Sequence, residues 1–135
     1  MLLALLYNTI LFSQHQLVKL WETDSVLKVP ESVLFDAADK VLYATNIDGT
    51  DPWGKDGKGS IGKIELDGKV ISAEWVSGFN CPKGMGLYKG KLCVADLDEL
   101  VVIDIATGKI EKRIAVSGAA GLNDVSIDKN GIIYV

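Results

Sequence analysis

Apolar and polar positions alternate in short runs along most of this chain, and each run closes on a tight polar turn. The segment Pro30-Glu31-Ser32-Val33-Leu34-Phe35-Asp36 leads through AADK into VLYATNI. Pro82-Lys83-Gly84-Met85-Gly86-Leu87-Tyr88 leads through KG into KLCVADL. Leu122-Asn123-Asp124-Val125-Ser126-Ile127-Asp128 leads through KNG into IIYV. Period-two alternation with β-branched and aromatic residues predicts a strand on either side of each turn. Asp, Lys, Asn and Gly are the residues that such hairpin turns use.

The pattern continues between these copies. After VLYATNI, a polar loop (DGTDPWGKDGK) precedes SIGKIEL and KVISAEWV, a hairpin that turns at Asp67-Gly68. After KLCVADL come LVVIDI and KIEKRIAV, joined by ATG. Each repeat is therefore four antiparallel strands with short connections. Tyr43 and Cys93 hold the same place in the first two copies and are 50 residues apart, while Cys93 and Tyr134 are 41 apart. The long loop at 48–59 accounts for nearly all of that difference. Four-stranded repeats at this spacing are propeller blades. A β-sandwich would explain the strands but not their recurrence. The expected fold is all-β: a partial β-propeller of about two and a half blades over residues 14–135.

The stretch LVKLWETDSVLKVPES matches VISAEWVSGFNCPKG, with Trp21 in the place of Trp75. Residues 17–22 are therefore expected to be the outermost strand of a neighbouring blade. Blades bury their faces against each other rather than forming a core alone. A ring needs at least about four of them to close. The chain is thus expected either to be part of a longer propeller, with the remaining blades missing, or to assemble with other copies. The stop at Ile133-Tyr134-Val135 favours the first.

Composition narrows the function classes. The chain of 135 residues is 48% hydrophobic and 24% charged, with net charge -4. Lys and Arg are scattered, so nucleic acid is not an expected partner, because phosphate binding needs clustered positive charge. No run of apolar residues is long enough for a membrane span. Residues 1–13, MLLALLYNTILFS, are almost wholly apolar and predict a signal peptide cleaved near Ser13-Gln14, hence a periplasmic or extracellular protein. The competing reading is an apolar N-terminal strand or helix of the domain, in a cytoplasmic protein. Cys81 falls in a loop and Cys93 in mid-strand, poorly placed to meet, so both are expected unpaired. A dedicated zinc site fails on ligand count, since His15 is the only histidine.

In a propeller, the connection leading into each inner strand opens on the same face as the loop between the second and third strands. Glu31, Lys83, Asn123 and Asp124 come from the first kind of position. Asn46, Asp48, Asp51, Trp53, Asp56, Asp96 and Asp98 come from the second. Such oxygen-rich lining suits hard cations. The five aspartates are read first as turn formers, bonding their own backbone. Glu31 and Asn123 are not turn formers by habit, and are equally well read as ligand-binding or as water-bonded channel groups.

PESVLFDAADKVLYATNI resembles the opening blade of the senescence marker protein/gluconolactonase superfamily, and GLNDVSIDKNGIIYV resembles a later motif of that family. The resemblance covers about residues 17–135 and implies a six-bladed propeller. It implies a metal-dependent hydrolase of a lactone or small ester, with Glu31 as metal ligand and Asn123, with Asp124 beside it, in the substrate pocket. The implied cofactor is a divalent ion, Ca²⁺ or Mg²⁺ by preference, with Mn²⁺ or substituted Zn²⁺ as other occupants. Pro-Glu-Ser replaces the family's Glu-Gly-Pro, and Gly121-Leu122 stands where a pocket Arg is usual. The remaining metal ligands would lie beyond residue 135, so these residues alone are expected to be inactive. NHL-repeat proteins share the same blade pattern. The alternative is therefore a non-catalytic, NHL-like binding or interaction scaffold.

Overall fold

The computed structural model describes residues 17–135, and the predicted leader and His15 lie outside them. The described chain is all-β. Its first sheet is β1 (Pro30–Asp36), β2 (Val41–Asn46), β3 (Gly59–Glu65) and β4 (Val70–Phe79), paired in chain order. The second is β5 (Pro82–Tyr88), β6 (Lys91–Asp96), β7 (Glu99–Asp104) and β8 (Lys109–Ala115), again in chain order. A third unit begins with the antiparallel pair β9 (Ser126–Ile127) and β10 (Ile133–Tyr134). Two complete up-and-down four-stranded sheets and the first hairpin of a third are successive blades, so the chain is a partial β-propeller.

The register repeats as the sequence does. Leu34 faces Tyr43 across β1 and β2, Gly86 faces Cys93 across β5 and β6, and Ser126 faces Tyr134 across β9 and β10. Aspartates close several hairpins. The Asp36 carboxylate accepts the N–H groups of Ala38 and Asp39, that of Asp104 accepts Thr107, and that of Asp128 accepts Asn130 and Ile132. These bonds let four or five residues reverse the chain without leaving turn amides unpaired.

The core lies between the first two blades. Val41, Tyr43, Ile61, Val76 and Phe79 from one pack with Met85, Leu92, Val94, Val101 and Ile103 from the other. Alternation explains the choice. Val41 and Tyr43 point forward into the next blade, while Leu42 and Ala44 point back. Tyr43 is fully buried, its ring centroid 5.0 Å from that of Trp75, and burial pushes its hydroxyl pKa up to about 12. Cys81 and Cys93 are both buried and unpaired. No helix among the described residues is long and apolar enough to cross a membrane.

Residues 17–22 form no strand, contrary to expectation. Their likeness to the end of β4 is nevertheless expressed in packing. Trp21 lies on Gly68, in the β3–β4 turn, and Trp75 lies on Gly108, in the β7–β8 turn. Both glycines have positive φ, 93° and 63°, and a Cβ on them would stand 2.7 Å and 3.1 Å from the indole. Trp21 therefore makes the same contact as Trp75, one repeat earlier, without backbone pairing to hold it in a sheet.

Candidate functional site

The β2–β3 loop and the β4–β5 connection meet at one end of the blades, because the start of β1, end of β2, start of β3 and end of β4 share that end. The β2–β3 loop is built from its own aspartates: Asp51 accepts the N–H of Trp53, and Asp56 accepts that of Lys58. Asp48 pairs with Lys28 at 3.0 Å, and Asp98 with Lys55 at 2.7 Å, which holds the Asp98 carboxyl below the usual range. The turn-forming reading thus describes Asp51 and Asp56, while Asp48 and Asp98 are engaged in ion pairs. The Cys81 thiol donates to the carbonyls of Asp51 and Gly54, at 3.5 and 3.3 Å, tying this loop to the start of the second blade.

Three successive repeats then meet at one point. Trp53 comes from the first blade, Lys83 opens the second, and residues 121–124 lead into the third. The Lys83 Nζ lies 5.0 Å from the centroid of the Trp53 ring, and Lys83 is only 6% exposed. The same ring presses on Gly121, where a Cβ would stand 2.7 Å from it, yet Trp53 remains 59% exposed. The Gly84 N–H donates to the Asn123 carbonyl at 2.7 Å. A Cβ on Gly84 would meet that oxygen at 2.6 Å and Asp124 Cα at 2.8 Å, so only glycine lets the two segments approach this closely.

Glu31, Asn123 and Asp124 are all exposed. Glu31 borders an apolar hollow with Trp21, Leu27, Pro30 and Val33. Asn123 and Asp124 adjoin Gly84, the residue after Lys83, through their backbone. Glu31, Lys83 and Asn123 occupy the same position in successive repeats, with Lys83 in the middle. Among the described residues, no group of three or more His, Cys, Asp or Glu side chains could hold a metal ion.

Asn46 and Asp96 were expected at the mouth but are buried strand ends. The Asp96 carboxylate accepts the Asn80 N–H at 3.0 Å and the Cys81 N–H at 2.7 Å. Arg113 stands 3.8 Å away and is ion-paired with Glu99. Burial pushes the Asp96 carboxyl above the usual carboxylate range, opposed by those two amides. Its role is to fix the connection that delivers Lys83. One signal was available: Asp96 and Asn46 share a repeat position ahead of Leu97 and Ile47, both of which are buried apolar residues.

No family model matches the chain, and no curated protein matches it. Among solved structures it is similar to a chain of the crystal structure of a nidogen/laminin complex, at 15% sequence identity and a TM-score of 0.35. That match covers 75% of this chain and 52% of the other, so the chain spans about half the length of the solved one.

Proposed function

We propose that the chain works as a ligand-binding propeller, through the mouth formed by Trp53, Lys83 and residues 121–124. The observation that carries this is the nearly buried Lys83, its ammonium against an exposed indole, at a point built from three repeats. Burying a lysine is costly unless its charge is met, and a half-exposed tryptophan over it offers both an apolar wall and a specific cation. The test is an NMR screen of small, chemically varied compounds against the isotope-labelled chain. Perturbations should gather at the Trp53 indole and the Gly84 and Gly121 amides. If they gather instead at the opposite end, around Leu87 to Gly90, or nowhere, the mouth is not the binding surface.

A second reading is the metal-dependent lactone or ester hydrolase of the gluconolactonase kind. It is favoured by Glu31 and Asn123 standing at equivalent positions on either side of Lys83. Glu31 would be one oxygen ligand among several, since a hard cation takes about six to eight oxygens. Asn123 would hold a substrate oxygen, and Asp124 would orient the loop through its backbone. A bound divalent ion would supply Lewis-acid polarisation of the carbonyl under attack. Calorimetric titration of the complete protein with Ca²⁺, Mn²⁺ and Mg²⁺ separates the readings. The hydrolase reading expects binding that Glu31→Gln weakens by about tenfold or more. Equal titrations of both proteins would remove Glu31 from any metal site.

A further inference from the structure

Lys83 is a nearly buried mouth residue, 6% exposed, with no ion-pair partner among the described residues. Several ionised groups nearby are engaged, while Asp124 is exposed to solvent. Lys55 binds Asp98, Lys58 approaches Asp56, and the Asp51 carboxylate caps the Trp53 amide. Among the described residues no carboxylate lies within ion-pair distance of Lys83, and its contact is the Trp53 ring. A quadrupole attracts the ammonium but leaves its N–H donors unused.

We propose that Lys83 and Trp53 form a subsite for a small monocarboxylate, with its carboxylate on the Lys83 ammonium and its flat apolar body against the exposed indole. This deepens the mouth-binding reading and rests on it. The charge count selects the class. One unmatched ammonium balances a single negative charge, whereas a phosphate, with more charge and more acceptor oxygens, is matched better by a fork of donors or by several cations. A divalent cation placed beside Lys83 would meet a like charge. The exposed indole adds preference for a ligand with a planar face, through stacking.

Benzoate and benzamide have the same shape and differ in charge, so they serve as the probe pair. The labelled chain is titrated with each while the Gly84, Gly121 and Trp53 indole signals are followed. Benzoate should bind about tenfold more tightly than benzamide, the effect of one partly desolvated charge pair. Lys83→Gln should erase the difference, and Lys83→Arg should keep it. If Lys83→Gln does not fold, raising the salt in the unmodified chain should erode the benzoate preference instead. Equal binding of the two probes at these signals overturns the carboxylate assignment and leaves the mouth reading standing. A benzoate preference that survives Lys83→Gln, or no perturbation by either probe, also overturns it. Failure of the mouth reading itself would show separately, as a compound screen that never perturbs these signals.

Discussion

Asp96 and Asn46 occupy the same repeat position and solve different local problems. In the second blade the preceding connection points the Asn80 and Cys81 amides inward, and Asp96 accepts both. In the first blade the preceding residues, Lys28 and Val29, instead offer carbonyls to Asp48 and Ile47. The Asn46 amide accordingly donates to Ser60 and to the Ala73 carbonyl, while its buried oxygen has no partner among the described residues. Asp96→Ala should leave two inward amides unpaired and cost about 1–3 kcal/mol, read as a lower urea midpoint. Asp96→Asn keeps one acceptor and should cost less. A pH signature accompanies it. The folded state holds the Asp96 proton more tightly than the unfolded chain does. Its contribution is therefore full below the ordinary carboxylate pKa and is lost as pH rises through the raised value. Asp96→Asn should flatten that part of the stability profile, and an unchanged slope would refute the assignment.

At the scale of elements, the hairpins were legible because each carries its own signal: alternation on both sides and a turn aspartate or glycine between. The β1–β2, β5–β6 and β9–β10 pairs all fall where the repeat places them. The stretch at 17–22 was not legible as a non-strand. Its residues repeat those of β4, but β4 is a strand because β3 pairs with it, and no local pattern encodes the presence of a partner. The mouth was legible only as a list of residues on one side. That Trp53 covers Lys83 depends on how a long loop folds over the next repeat, which periodicity does not carry. Gly84 is the clearest test of that junction. Gly84→Ala would press a methyl into the Asn123–Asp124 backbone and should cost about 1–3 kcal/mol. It should also shift the Trp53 indole signal, since Gly121 moves with the same segment. A stable variant with an unmoved indole signal would mean that the junction is looser than described.

At the scale of the whole molecule, one surface stands out by comparison within the chain. Met85 and Leu87 pack against the first blade, whereas Val33 and Phe35, at the same repeat positions, are 63% and 52% exposed. Tyr43 is buried while its counterpart Tyr134 is 57% exposed. These are faces of the kind blades bury against one another, open at both ends of the described chain. The 135-residue chain should therefore self-associate with rising concentration in sedimentation velocity. The double change Val33→Ser with Phe35→Ser should reduce this while costing about 0.5 kcal/mol or less, because neither side chain is in the core. Identical sedimentation of the two proteins would show that this face does not drive association. The two tryptophan contacts carry a further consequence. Trp21 reaches forward to Gly68 and Trp75 forward to Gly108, so the first two blades are each gripped from behind by an indole in the same direction. A duplicated or deleted unit bearing both this tryptophan and this turn glycine would leave the remaining latch facing a matching catch. The number of such units is thus open to revision by simple duplication or deletion, while the mouth, whose Trp53, Lys83 and Gly121 come from three consecutive units, survives only where those three remain neighbours.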